Sequence, residues 1–291
     1  LFKYGSIILW VYNLYIYNLI MRKYPKVGVV VPTKNSEKYL NSVLKSIVEQ
    51  TYKNIDIVVV DNNSIDNTKK IAKKYTKNVL NFGPERSPQK NYGASNCEAK
   101  YILFLDSDAE LEPNVIEECV LFGEKFFDMV IIPERHKGDG IWAKAKIKER
   151  EFYIGDDNVE CPWFFNRNSF LSIGGYDESM ISGEDWDIFN KMRDKGFKYV
   201  RCKSYINHNL GTLEFFEYIN KKRYYGRNIN KFINKNRTNV IKKIPFLRLS
   251  LVKNIFKNIN HPITLLLIFL LKLGEFVFII VGMIEGKLKR K

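Results

Sequence analysis

Short apolar runs alternate with longer amphipathic stretches over most of the chain. Val27 to Val31 is the first run, stopped by Pro32. Ser36 then caps a helix-like pattern that continues to about Glu49. Ile55 to Val60 is the second run, ended by Asp61-Asn62-Asn63-Ser64. Asp66 opens a helix through Tyr75, Val79-Leu80 reads as a short strand, and Gly83-Pro84 marks a loop. Ser87 to Cys97 has helical spacing, Tyr101 to Leu105 is the fourth strand, Pro113 to Phe126 is helical, and Met129 to Ile132 is a further strand. Continuous apolar runs mark strands buried on both faces. Their alternation with helices predicts an α/β domain with a mostly parallel sheet and helices on both faces.

Past Pro133 the pattern loosens. Ile141 to Tyr153 and about Glu184 to Lys195 read as helices, and Val159 to Phe165 and Phe197 to Val200 as extended segments. Gly174-Gly175 breaks the chain, and His208 and Gly211 close the globular part. From Phe215 to Lys257, Lys and Arg are interleaved with aromatic and aliphatic residues, as in basic amphipathic helices that lie on membranes. Ile263 to Ile284 is almost wholly apolar, broken only by Lys272 and Glu275. Roughly 17 apolar residues gain about 5–10 kcal/mol on insertion into a bilayer, and two central charges cost about 5–7 kcal/mol. A lone helix would insert marginally. Lys272 and Glu275 stand one turn apart and are placed to pair. Gly274 offers a second option, a re-entrant hairpin.

Charge sharpens this division. The net charge of +15 is concentrated in residues 213–291, which hold 17 basic and 4 acidic residues and so carry +13 of it. The basic character belongs to the tail, where anionic headgroups and nucleic acid are the physical candidates. The apolar segment beside it favours membrane and argues against nucleic acid. Leu1 to Met21, followed by Arg22 to Lys26, reads as a signal anchor with its basic flank on the cytoplasmic side, or as an interfacial helix. Cys97, Cys119, Cys161 and Cys202 show no spacing suited to zinc and read as thiols of a reducing compartment.

Three strands end in polar clusters on one edge of the sheet, and that edge is where open α/β sheets bind ligands. Pro32-Thr33-Lys34-Asn35 follows the first strand and Asp61 the second. The fourth runs into Asp106-Ser107-Asp108. Two carboxylates one residue apart repel unless a cation lies between them, and hard oxygen ligands suit Mg²⁺ or Mn²⁺ carrying phosphate oxygens. The same aspartates would also serve as turn or cap residues. A further acidic group, Glu184-Asp185-Trp186, follows Gly183 at a helix start, where carboxylates also complement the helix dipole.

In order and spacing these segments resemble the family-2 glycosyltransferases of the GT-A fold. The resemblance covers about Lys26 to Gly211. It rests on VVVPTKN, VVVDNNSIDNT, RSPQKNYGA, the DxD pair Asp106 and Asp108, and the xED pair Glu184 and Asp185. The QxxRW motif of processive synthases is absent, which implies addition of one sugar at a time. By this resemblance Pro32, Thr33 and Asn35 line the base pocket, Asp61 hydrogen-bonds the base, and Lys90 holds ribose or diphosphate. Asp106 and Ser107 lie on the donor. Asp108, with Asp106 and His208, ligates Mg²⁺ or Mn²⁺. Asp185 is the general base of an inverting transfer. Glu184 and Trp186 contact donor sugar or acceptor, although Lys90 would equally fit a solvated helix face and Trp186 a core.

The implied organisation is an N-terminal apolar segment over 1–25, a GT-A catalytic domain over 26–212, basic amphipathic helices over 213–260 and a transmembrane or re-entrant segment over 261–291. The implied reaction moves a sugar from a nucleotide sugar, UDP-linked, to a hydroxyl of a lipid-linked or membrane-proximal glycan at the cytoplasmic membrane face. A polyprenyl-phosphate acceptor and a non-catalytic carbohydrate- or nucleotide-binding protein are the alternatives. No nucleic-acid partner is expected, and the sequence does not fix the oligomeric state.

Overall fold

The apolar runs become the central strands of a seven-stranded sheet. The computed structural model describes residues 24–235, 254–255 and 260–288. The expected segment at 1–21 and most of the stretch at 236–259 lie outside the described residues. Strands β1 (Val27–Thr33), β2 (Ile55–Asp61), β3 (Val79–Asn81), β4 (Tyr101–Phe104), β6 (Met129–Ile131), β8 (Pro162–Asn166) and β9 (Tyr199–Arg201) form a sheet ordered β3-β2-β1-β4-β8-β6-β9. The β3-β2-β1-β4 half is parallel, and β8 runs antiparallel to both β4 and β6. Every residue of β1 and β4 is buried, as continuous apolar strands require.

Helices cover both faces. On one, α1 (Glu37–Val48) buries Leu40, Val43, Leu44 and Ile47 against Val29, Val31 and Val59, and α2 (Thr68–Ala72) and α4 (Val115–Gly123) share that core. On the other, α3 (Arg86–Ser95), α6 (Arg167–Ser172) and α7 (Glu184–Asp194) pack over Val30, Val60, Ile102 and Phe104. Helix α3 lies so near the sheet that a Cβ on Gly93 would sit 2.4 Å from Val30 Cγ1. Its Gln89 donates from Nε2 to the carbonyls of Thr33 (3.0 Å) and Val60 (2.7 Å). One buried amide thus ties together the carboxyl ends of β1 and β2.

A second, three-stranded sheet orders β5 (Ala109–Leu111), β10 (Ile206–Thr212) and β7 (Glu134–Asp139) as β5-β10-β7. The register sets His208 opposite Ala109 on one side and His136 on the other. Helix α5 (Ile141–Glu151) follows β7.

Two long helices complete the described residues. Helix α8 (Phe215–Lys235) packs along α9 (Pro262–Leu288) in parallel, at backbone contact. A Cβ on Gly226 would lie 2.3 Å from the Ile279 carbonyl oxygen, and one on Gly282 would lie 2.1 Å from that of Arg223. Only glycine permits this approach. Glu285 accepts from Arg223 and from Arg227 (2.8 Å) across the same pair.

Helix α9 is unbroken through Gly274, so the re-entrant hairpin allowed by the sequence does not form. With mean hydropathy 2.5 it is long and apolar enough to cross a membrane, at about 40 Å for a core of about 30 Å. Ile263, Leu266, Phe269, Leu273, Phe276 and Ile284 are exposed along it. Lys272 and Glu275 do pair, at 2.8 Å, but away from that apolar face. They are buried against α5, where Lys272 meets Glu149 at 2.6 Å and Glu275 meets Lys146 at 3.0 Å. Protein contacts rather than lipid therefore receive the two charges that made insertion marginal.

Candidate active site

The loops after β1 and β2 interlock at the sheet edge. Asp61 is fully buried. Its carboxylate accepts from Thr33 Oγ1 (3.0 Å), from the Ser64 hydroxyl and from the Ser64 backbone N–H (2.9 Å). Lys69 stands 3.4 Å away. Asp61 thus organises the loop from beneath. Pro32 is buried, while Asn35 is exposed at the rim with φ 48°. Asn35 donates its N–H to Ser64 Oγ (2.8 Å) and accepts the Ile65 N–H (3.0 Å). The structure brings Thr33, Asn35 and Asp61 from these two loops together, with Ser64 added.

Beyond β4, Ser107 lies 2.9 Å from Ser36 Oγ, which joins this turn to the β1 loop. Asp106 is closer to the cations than Asp108. Burial alone would push its carboxyl up, but Lys90 and Arg86 outweigh burial and hold it below the ordinary range. For Asp108, burial wins and pushes the carboxyl up, with the Asp106 charge adding to the rise and His208 opposing it. Oδ1 of Asp106 is buried without a hydrogen-bond partner. His208 brings Nδ1 to 3.6 Å from Asp108 Oδ1, and the Asn209 N–H donates to the Asp108 carbonyl (2.9 Å).

These donors suit a divalent cation in chemical type: two carboxylates that repel each other, one orphaned oxygen and an imidazole. The described residues form no ready cluster of three or more His, Cys, Asp or Glu around one point. The remaining ligands of a metal here would have to come from phosphate and water, which is how Mg²⁺ is ordinarily held.

Sequence reasoning missed what stands behind His208. Glu134 approaches His208 Nε2 at 3.6 Å and His136 Nε2 at 3.5 Å, and accepts from Arg150 (3.0 Å). The imidazoles of His136 and His208 stack at 5.3 Å. Burial, with Arg150 and His208 nearby, holds His136 neutral with its pKa near 2. The only signal was a polar run, Glu134-Arg135-His136-Lys137, which lacks the apolar alternation that announces a strand.

The carboxylates after Gly183 line an adjoining basin. Gly183 caps α7 in the left-handed region at φ 81°. Lys90 is buried and pairs with Asp185 Oδ1 at 3.2 Å, with its ammonium 4.9 Å from the Tyr176 ring, so it is no solvated helix lysine. Burial opposes the Lys90 charge, but Asp185, Asp106 and Glu184 raise it above the usual lysine value. Arg86, also missed although it opens the RSPQKNYGA segment, spans both acidic pairs. It reaches Asp106 Oδ2 and Glu184 Oε1, each at 3.7 Å. Trp186 donates from Nε1 to the Val159 carbonyl (3.2 Å), yet its side chain lines the basin. The basin is a cavity of about 290 Å³ bordered by Arg86, Lys90, Tyr176, Glu184, Asp185 and Trp186, and closed on the far side by α8 and α9. Tyr224 of α8 donates to Glu85 (2.7 Å), and the Tyr225 carbonyl accepts from Ser182 (3.3 Å).

Burial, followed by the Asp185 charge, pushes the Glu184 carboxyl from 4.5 up to about 7. The folded state therefore binds a proton that the unfolded chain has already released, and stability falls as pH rises between those values. The shift corresponds to about 3 kcal/mol. Glu184→Gln is expected to remove most of this slope, so that denaturant midpoints at pH 5 and pH 8 converge. A slope as steep as in the parent chain would sink the assignment.

A mostly parallel sheet with acidic pairs at its carboxyl edge, linked by a basic helix start, defines a GT-A-type glycosyltransferase fold. The glycosyl transferase family 2 model matches residues 28–174, and the chain belongs to that family. The GalNAc(5)-diNAcBac-PP-undecaprenol beta-1,3-glucosyltransferase of Campylobacter jejuni is 26% identical over 193 residues, which cover 60% of this chain. The match spans 62% of that relative's length, the same share as for uncharacterized glycosyltransferases of Rickettsia typhi and Rickettsia prowazekii. Among solved structures, mannosyltransferase PcManGT from Pyrobaculum calidifontis, in complex with GDP-Man and Mn²⁺, superposes with TM-score 0.63. It is 13% identical and covers 92% of this chain and 88% of that one. S. aureus TarS 1-349 in complex with UDP-GlcNAc gives 0.52 at 20% identity, covering 70% and 66%. Both likenesses establish the fold.

Proposed function

We propose that this glycosyltransferase is inverting and metal-dependent, and that it works at the cytoplasmic face of a membrane. It moves one sugar from a nucleotide sugar, UDP-linked, to a hydroxyl of a lipid-linked or membrane-proximal glycan. The observation that carries this reading is Arg86, which borders the cavity and reaches Asp106 on one side and Glu184, in the cavity wall beside Asp185, on the other. A donor lying between those sides would set its diphosphate at the first and its anomeric carbon near the second.

Pro32, Thr33 and Asn35 then border the base over the Asp61-supported loop, and Ser107 lies beside the ribose. Asp106, Asp108 and His208 would hold Mg²⁺ or Mn²⁺, which when bound neutralises charge on the departing diphosphate. Glu134 keeps His208 turned toward Asp108. Asp185 accepts the proton of the acceptor hydroxyl as its oxygen bonds to the anomeric carbon and the bond to the diphosphate breaks. Lys90 orients that carboxylate. Glu184 and Trp186 border the sugar. The unbroken apolar helix α9, the basic α8 and the lipid-linked acceptor in the name of the Campylobacter relative support a membrane setting.

A screen of UDP- and GDP-sugars with Mn²⁺ or Mg²⁺, scored by nucleotide diphosphate release, tests the reading. Release from UDP-sugars is expected, and release from none would defeat it. Asp108→Ala is expected to raise the Mn²⁺ concentration for half-maximal release by at least about tenfold. An unchanged Mn²⁺ dependence would remove Asp108 from the metal site.

A further inference from the structure

Four cations border the basin, and three of them have carboxylate partners. Arg86 faces Asp106 and Glu184, Lys90 faces Asp185, and Arg150 donates to Glu134. Lys222 of α8 has no carboxylate within ion-pair distance among the described residues. Its ammonium stands 4.9 Å from the Tyr218 ring centre and 5.9 Å from that of Tyr225. Lys222 is half-buried, and a cation partly withdrawn from water without a counter-ion is costly unless an anion completes it.

Its surroundings make the deficit local. On α5, Lys146 and Glu149 pair with each other, and on α9 Lys272 and Glu275 do the same, so this cluster is nearly neutral without Lys222. Burial lowers Lys222 to about 7, with Glu275 and Glu149 opposing the fall and Lys146 and Lys272 deepening it. The preceding residue, Lys221, instead lends its charge to Asp106 and Asp108. Two consecutive lysines thus face different carboxylate groups. The Lys222 end is bordered by Ile229 and by Ile279 of the apolar helix α9.

We propose that Lys222 marks an anion subsite on the acceptor side of the basin, which takes the phosphate or diphosphate through which a membrane lipid carries the glycan. The proposal rests on the lipid-linked acceptor reading above. It places the phosphate beside α9, where the lipid lies, and leaves the glycan to extend toward Asp185. The tyrosine rings hold the ammonium in place while the subsite is empty.

The test is titration calorimetry of the full chain in detergent with farnesyl diphosphate, farnesol and inorganic pyrophosphate. Farnesyl diphosphate should bind, with affinity that falls from pH 6 to pH 8.5 as Lys222 loses its proton. Lys222→Gln should weaken it at least about tenfold, a loss typical of a charged hydrogen bond. Lys222→Arg, whose guanidinium stays charged, should bind within about threefold of the parent chain and lose most of the pH dependence. Farnesol should be insensitive to both variants. Equal binding of farnesyl diphosphate by Lys222→Gln and the parent chain would overturn the proposal. Pyrophosphate binding as tight as that of farnesyl diphosphate would overturn its lipid component. The titration contains no donor, so its failure is separate from failure of the donor screen.

Discussion

Asp185→Asn is expected to lower transfer to a hydroxyl acceptor by about 10²- to 10⁴-fold at pH 7. The amide keeps the shape of the side chain and still offers Lys90 an oxygen at the position that accepts at 3.2 Å. What it loses is the ability to take a proton while the acceptor oxygen attacks. Donor KM should stay within about threefold, because the proposed nucleotide site lies on the Asp106 side, apart from Asp185. The measurement is acceptor-dependent release of nucleotide diphosphate under saturating donor. Activity equal to that of the parent chain would remove Asp185 as base and favour a phosphate acceptor, which is already ionised and needs none.

Glu149→Leu is expected to destabilise the chain by about 3–5 kcal/mol, the usual cost of stripping one partner from a buried ion pair. Glu149 is almost fully buried and meets Lys146 at 2.7 Å and Lys272 at 2.6 Å. Burial opposes its charge, yet the two lysines hold its carboxyl well below the usual range. Without it, both would share Glu275, which already accepts from Tyr218. Because the folded carboxyl is depressed, its contribution is complete above the ordinary glutamate range and is lost only as pH falls below that range, down through the depressed folded value. The loss should appear as a lower denaturant midpoint in detergent. A second change, Lys272→Leu, should recover part of it, because Lys146 and Glu275 are then left as a matched pair. A midpoint equal to that of the parent chain would show that the cluster does not hold α9 to the catalytic part.

The strands that were easy to read are those that bury both faces. Val27–Thr33 and Tyr101–Phe104 are apolar enough to be recognised without neighbours, and both match expectation to within two residues. The second sheet was not legible. Glu134–Asp139 is polar throughout and alternates between half-buried and exposed, so it has no apolar face to announce it. It is a strand because β10 pairs with it, and that pairing joins residues about 70 positions apart. The same distance hid Glu134 behind His208.

The sequence by itself determined the family, the sheet edge and the positions of the acidic pairs, because these follow from local apolar runs and from motifs a few residues long. It also placed an apolar helix after a basic one. Only the tertiary structure decided that Lys272 and Glu275 turn into protein instead of lipid, that Arg86 spans the two acidic pairs, and that Lys222 has no carboxylate within ion-pair distance among the described residues. Each of these depends on which side chains meet across elements far apart in the chain, and charge compensation is settled by distance in space, which a linear pattern does not carry.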